Sequence, residues 1–106
     1  MSYEGNCPIN PQEFKHVVYV GRKPVMQYVM AVRHHFMMDN ADKVLITARG
    51  RAISRAVDVA EAVVNRILKD VVEKERIETC TEVLQDAETG RTRRISSIYI
   101  VLRRKK

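Results

Sequence analysis

The residues best suited to chemistry lie in Thr47-Ala48-Arg49-Gly50-Arg51-Ala52-Ile53-Ser54-Arg55-Ala56. An arginine ends a short apolar run, a glycine turns the chain, and two more arginines open an amphipathic stretch. Three guanidinium groups (Arg49, Arg51, Arg55) thus gather where a strand hands over to a helix. A helix N-terminus already favours anions through its free N–H groups and its dipole. Permanently charged, planar forks added there suit phosphate, which they can grip with paired hydrogen bonds. A second basic turn, Gly21-Arg22-Lys23-Pro24, puts two cations before a proline that can open a helix. A lone Arg-Lys pair is most simply a solvated turn. The two turns become one basic patch (Arg22, Lys23, Arg49, Arg51) only if the strands before them lie side by side and parallel, which brings both turns to the end of the sheet where open α/β sheets bind ligands.

A third basic element is the stretch Gln85–Arg94, with Arg91, Arg93 and Arg94 near its end and Asp86 and Glu88 partly offsetting them. From Thr89 onward there are seven basic residues and no acid, whereas residues 73–88 hold six acids. The formal charge of +6 is therefore distributed in patches and points to a polyanionic partner. Arg103-Arg104-Lys105-Lys106 reads as a basic tail offering sequence-independent attraction.

The elements that position these groups follow from hydrophobic period. His16–Val20 fits a short buried strand. Val25, Tyr28, Val29, Val32 and Phe36 recur at helical spacing after Pro24, and Asp39-Asn40 stops that helix. Lys43–Ala48 is a second, β-branched strand. A second helix runs from Gly50 to about Lys69, with an apolar side wide enough to meet both a sheet and a second subunit. Arg76–Leu84 and Arg94–Leu102 are β-type runs joined by a long tip containing Gly90, a hairpin. The order β-α-β-α-β-β with a right-handed crossover gives an α/β two-layer sandwich (α+β in the looser sense). It has a four-stranded mixed sheet and two helices on one face. Residues 1–13 read as a loose, flexible N-terminal arm, and 14–104 as a single domain.

Composition narrows the function classes. With 106 residues, 45% apolar and 30% charged, the chain is one globular domain. No signal-like start or long apolar run occurs, so no membrane partner is expected and the protein reads as soluble and intracellular. Cys7 and Cys80 are too few for a disulfide framework or zinc site and are read as reduced thiols. His34 and His35 sit side by side on the first helix and cannot share one metal there. With Asp39 nearby a metal-assisted nuclease can be imagined, but a surface histidine pair is the simpler reading. Met26, Met30, Met37 and Met38 are read as packing residues. No nucleophile–base pair, phosphate-loop signature or metal-spaced cluster occurs, so no catalytic residues, metal or cofactor are expected.

The Arg-Gly-Arg segment 47–56 and the block Gly21-Arg22-Lys23-Pro24-Val25-Met26-Gln27-Tyr28-Val29 closely resemble, in order and spacing, the Alba family of small archaeal-type chromatin proteins that bind DNA and RNA. The similarity extends from about Lys15 to Arg104. It implies the same two-layer fold, similar to the C-terminal domain of translation initiation factor 3. It also implies a homodimer in which the basic body contacts the phosphate backbone and the hairpin arms reach along the minor groove. The residues carried over as nucleic-acid-binding are Arg22, Lys23, Arg49, Arg51, Arg55, Arg91, Arg93 and Arg94; those at the dimer or dimer–dimer contact are Val63, Ile67 and Leu68. Two departures stand out. Many relatives carry lysine where this chain has Arg22, an acetylation target there; arginine keeps its charge, so the resemblance does not carry such regulation over to this chain unless Lys23 takes the role. Many also carry an aromatic residue where this chain has Ile67, so filament formation on DNA is less well supported.

The resulting expectation is a non-enzymatic architectural protein that coats or compacts double-stranded DNA as a homodimer, cytoplasmic and chromosome-associated. Sequence preference should be weak, because no base-reading helix is evident. The alternatives are an RNA-binding protein and a metal-assisted nuclease. Tyr19, Tyr28 and Phe36 are expected to be buried, leaving Tyr3, Phe14 and Tyr99 undecided; few rings would then remain for stacking.

Overall fold

A computed structural model describes residues 7–106; Met1–Asn6 of the expected arm and Tyr3 with them lie outside the described residues. The elements are β1 (Val17–Val20), α1 (Val25–Met37), β2 (Lys43–Arg49), α2 (Ile53–Ala62), β3 (Val72–Gln85) and β4 (Thr92–Arg104). The sheet order is β1-β2-β4-β3. β1 and β2 are parallel, and β4 runs antiparallel to both β2 and β3. This is the expected four-stranded mixed sheet.

The helices cover one face. Val29, Val32 and Phe36 of α1 and Ala56, Val59 and Ala60 of α2 pack on Val18, Val20, Val44, Ile46, Ile98, Ile100 and Leu102. The period-two alternation of the strands sends these side chains to the helix side. Part of the other face is covered too, which alternation alone did not predict. Ile9 is 2% exposed and packs with Leu45, Tyr99 and Val101, while Phe14, Val17 and Cys80 border them. The loose-arm expectation is thus corrected for residues 7–13. Asn10 caps a 3₁₀ turn at Pro11–Glu13 by accepting from the Gln12 N–H, and apolar burial of Ile9 holds the segment down.

The reduced-thiol expectation is also overturned. Cys7 and Cys80 form a disulfide, with Cα atoms 5.2 Å apart across 73 positions of sequence. Packing of the N-terminal segment across the sheet creates this proximity; spacing along the chain carried no sign of it.

α2 departs from an even helix at both ends. A 3₁₀ turn (Gly50–Ala52) leads in, and a π-helical turn (Val63–Ile67) leads out, closed by Leu68 N–H donating to the Val63 carbonyl at 2.8 Å. Asp70, at φ 69°, then redirects the chain into β3. The basic tail is corrected as well. Arg103 and Arg104 belong to β4; Arg103 pairs with Glu73 at 2.7 Å. Arg104 donates to the Phe36 and Ala41 carbonyls and lies over the Phe36 ring. Arg104 is thus engaged in packing and Arg103 in an exposed ion pair, leaving Lys105 and Lys106 as the unpaired basic end among the described residues.

Strands β3 and β4 outrun the rest of the sheet. The last β2 partner of β4 is at Arg49↔Ser97, whereas β3 pairs with β4 out to Gln85↔Thr92. Beyond Ser97 the hairpin is a two-stranded arm, about 17 Å of strand at roughly 3.4 Å per residue. It gives the molecule its 47 Å long dimension against 26 and 19 Å.

Candidate nucleic-acid interface

Parallel pairing of β1 with β2 puts both βα turns at one end of the sheet. The arm leaves from that same end, since Ser97 lies opposite Arg49 at the end of β2. An open groove of about 1110 Å³ runs between the turns and the N-terminal segment. Tyr19, Arg22, Arg49, Arg51, Arg55 and Glu82 are among its lining residues.

The five cations of the two turns divide into two kinds. Arg22, Lys23 and Arg51 are exposed and have no ion-pair partner among the described residues. Arg49 and Arg55 are engaged by the protein itself. Arg49 donates through Nε and Nη2 to the two carboxylate oxygens of Glu82, both at 2.8 Å, in the fork geometry that guanidinium and carboxylate share. The Glu82 side chain is 3% exposed and also accepts from the Ser97 hydroxyl. Burying a carboxylate unpaired is costly, so this acid needs its arginine, and the pair cancels most of the Arg49 charge as seen from outside.

Arg55, on the first turn of α2, donates from Nη1 to the Gly21 carbonyl at 2.6 Å and so ties one βα turn to the other. Tyr28 completes the brace. Its hydroxyl accepts the N–H groups of Gly21 (2.9 Å) and Lys23 (3.1 Å), fixing the turn that displays Arg22 and Lys23. Gly50 at φ 55° adopts a left-handed conformation that other residues enter only at a cost, and an added Cβ would sit 3.3 Å from Ile95 Cδ1. That close approach sets the Arg-Gly-Arg turn against the root of the arm.

At the arm's tip Arg91, Arg93 and Arg94 are all exposed. The Asp86 carboxylate accepts the N–H groups of Glu88 and Thr89, at 2.8 and 3.3 Å, and so shapes the turn. The acids of β3 nearer the body are likewise occupied: Glu73 by Arg103, Glu75 by Lys43 and Glu78 by Arg76. The acidic strand thus neutralises cations within the sheet, and leaves Arg22, Lys23 and Arg51 at the turns and Arg91, Arg93 and Arg94 at the tip without an ion pair among the described residues.

One aromatic expectation changes and one undecided position resolves. Tyr19 is 67% exposed, because the alternation that buries Val18 and Val20 turns it to the opposite face, beside the groove. That alternation was legible in Val18-Tyr19-Val20. Tyr99 is buried beneath Ile9. The methionines expected to pack inside, Met26, Met30, Met37 and Met38, are instead solvent-facing on α1 and just beyond it. Of the residues expected at a subunit contact, Val63 and Leu68 are buried in the chain's own core, and Ile67 alone of the three reaches the surface. Glu82 and Ser97 were not singled out from sequence; a lone acid between Thr81 and Val83 in a β run was the available signal.

The histidine region also resolves differently from the sequence reading. His34 is 62% exposed, its Nε2 3.8 Å from Asp39. It is His35, with Asp39, that meets His16 from the start of β1. Among the described residues no helix is long and apolar enough to cross a membrane.

Comparison with known proteins agrees with this architecture. The Alba family profile matches residues 16–81. The DNA/RNA-binding protein Alba of Methanoculleus marisnigri is 55% identical over 85 residues, covering 80% of this chain and 89% of that protein. DNA/RNA-binding protein Alba 1 of Archaeoglobus fulgidus is 53% identical over 88 residues, covering 83% and 94%. The solved structure of Alba from Thermoplasma volcanium superposes with a TM-score of 0.75 at 45% identity, covering 84% of this chain and all of that one. With half the sequence shared over most of its length, and with the same fold, the chain belongs to the Alba family.

Proposed function

We propose that this chain binds double-stranded DNA through its phosphate backbone, without strong sequence preference, as a homodimeric architectural protein associated with the chromosome. The observation that carries the reading is the convergence of two basic turns and the root of a basic arm at one end of the sheet. Arg22, Lys23 and Arg51 supply the body's phosphate contacts; Arg91, Arg93 and Arg94 follow the duplex into a groove. Arg49 and Arg55 act as positioning residues. The names of the relatives, which bind DNA and RNA, support the same partner class. Self-association is proposed through the outer side of α2 and the turn after it, where Ile67 and the 39%-exposed Val57 offer apolar surface. Higher assembly along DNA would extend from there, and compaction would follow from it.

With about six to eight phosphates neutralised per dimer, log affinity should fall against log salt with a slope of roughly −5 to −7. The test is a salt titration on duplex DNA comparing wild type with Lys23→Ala/Arg51→Ala. Flattening by about one unit per contact removed supports the turns as the interface. An unchanged steep slope moves the interface to the arm and the C-terminal lysines, and a slope near zero in the wild type overturns the electrostatic account.

RNA is the second reading, and Tyr19 favours it. An exposed ring beside Arg22 and Arg51 is a platform on which an unpaired base can stack, worth about 1–3 kcal/mol per base. Tyr19→Ala should leave duplex affinity unchanged and weaken single-stranded RNA if that reading holds. No observation favours nucleic-acid cleavage.

A further inference from the structure

At the opposite end of β1 from the basic turns, three ligand atoms from distant parts of the sequence meet. His16 Nδ1 and His35 Nδ1 are 3.0 Å apart, and His35 Nδ1 is 3.2 Å from Asp39 Oδ2. The imidazole rings are tilted at 59° with centroids 4.9 Å apart. All three ligand atoms lie within 4.8 Å of one another. Their backbones are held in place. The His16 carbonyl accepts from Leu45 N–H at the β1–β2 edge, the His35 carbonyl accepts from Ala41 N–H, and Asn40 turns the chain at φ 53°.

This contact is chemically unusual. His35 Nδ1 faces a carboxylate oxygen and a second imidazole nitrogen, whose role as donor or acceptor depends on the tautomer. In the tautomers that leave both Nδ1 atoms unprotonated, three electron-pair donors point into one space. A metal ion answers that arrangement more completely than a proton. At metal–ligand distances of 2.0–2.1 Å, two donors on one zinc are separated by about 2.9 Å at a right angle and about 3.3 Å at the tetrahedral angle. The two close spacings here fall in that range. Asp39 is 40% exposed, so its carboxylate has room to close the third edge. Two imidazoles with one carboxylate are borderline ligands that suit Zn²⁺ and its neighbours rather than Mg²⁺ or Ca²⁺, which take oxygen shells. The C-terminal end of α1, with its negative dipole end, adds a favourable field.

We propose that His16, His35 and Asp39 form a transition-metal site of the zinc type, with water completing the shell. The site clips the entry of β1 to the end of α1. Because it lies across the strand from Arg22 and Arg51, it is independent of the nucleic-acid reading.

The experiment is a Zn²⁺ titration of the tag-free full-length protein, freed of metal and oxidised, in competition with a chromophoric chelator. Co²⁺ absorption in the visible provides a second probe. Wild type should take up about one Zn²⁺ per chain and melt at a higher temperature with it. His16→Ala and His35→Ala should each weaken binding at least 100-fold, the upper range for losing only an outer partner of a site. Asp39→Asn, at an exposed position that keeps the fold, should weaken binding in the same direction. His34→Ala and Cys7→Ser/Cys80→Ser should retain it. Absence of uptake by the wild type, uptake unaffected by both His16→Ala and Asp39→Asn, or loss in the cysteine variant while its circular dichroism is that of the folded protein would each overturn the proposal.

Discussion

Arg49→Ala should destabilise the protein far more than it weakens DNA binding. The Glu82 carboxylate is 3% exposed and held by both arms of the Arg49 guanidinium. Removing one partner of a buried pair typically costs about 3–5 kcal/mol, because the remaining charge is left without compensation. Two features reduce that figure here. Arg49 is itself 41% exposed, so water can enter where its side chain stood, and Ser97 still donates to Glu82. A loss of about 2–3 kcal/mol follows, or roughly 10–15 °C in Tm for a domain of this size. Urea unfolding at fixed protein concentration measures it, concentration being held because self-association contributes to apparent stability. The diagnostic step is Glu82→Gln in the Arg49→Ala background. It removes the stranded charge while leaving an oxygen for Ser97, and should restore more than half of the loss. The restored double variant should keep the wild-type salt slope on duplex DNA. Arg49→Ala within about 0.5 kcal/mol of wild type, the range of an ordinary surface change, would refute the reasoning. So would a double variant no more stable than the single one.

Reducing the Cys7–Cys80 disulfide opens a loop closed over 73 positions, and the stability lost should reach about 4.5 kcal/mol at most on chain-entropy grounds; unfolding with and without dithiothreitol measures it, and no change would mean the N-terminal segment is held by its non-covalent contacts. Gly50→Ala forces a left-handed backbone and a close contact with Ile95, costing about 1–2 kcal/mol and loosening DNA binding through the displaced Arg51. Lys74 hydrogen-bonds Glu61 and holds its carboxyl below the usual range. Because the folded value is the lower one, this pair stabilises the protein above the ordinary glutamate pKa, and its contribution disappears as pH falls through the lowered value. The pair is exposed, so the effect should stay under about 0.5 kcal/mol. Carboxyl NMR should show Glu61 titrating higher in Lys74→Ala.

The fold was legible because periodicity carries it. Val29, Val32 and Phe36 define the buried side of α1, while Ile98, Ile100 and Leu102 define the helix-facing side of β4. Both basic turns could be assigned to one end of the sheet once β1 and β2 were read as parallel. What sequence did not disclose depends on contacts between distant segments. Nothing near Arg49 announces Glu82, 33 residues away, so a structural arginine was indistinguishable from a phosphate-binding one. The disulfide and the burial of Tyr99 both follow from residues 7–13 crossing the sheet, a placement to which period is blind. His16 and His35 were separated by 19 positions, and only the adjoining His34 suggested a pair.

The projecting arm has a built-in unit of length. Past Ser97 no third strand constrains it, so residues can be added or removed there without altering the body's pairing. Side chains change face at each residue, however, and only changes of two residues per strand keep Arg91, Arg93 and Arg94 on their present sides. Each such step moves the tip by about 7 Å. A single-residue change would instead exchange the two faces of the arm beyond it. The span of duplex that the tip can reach is therefore quantised, and it can be tuned as a ruler is, by whole divisions, while the body and its basic turns stay as they are.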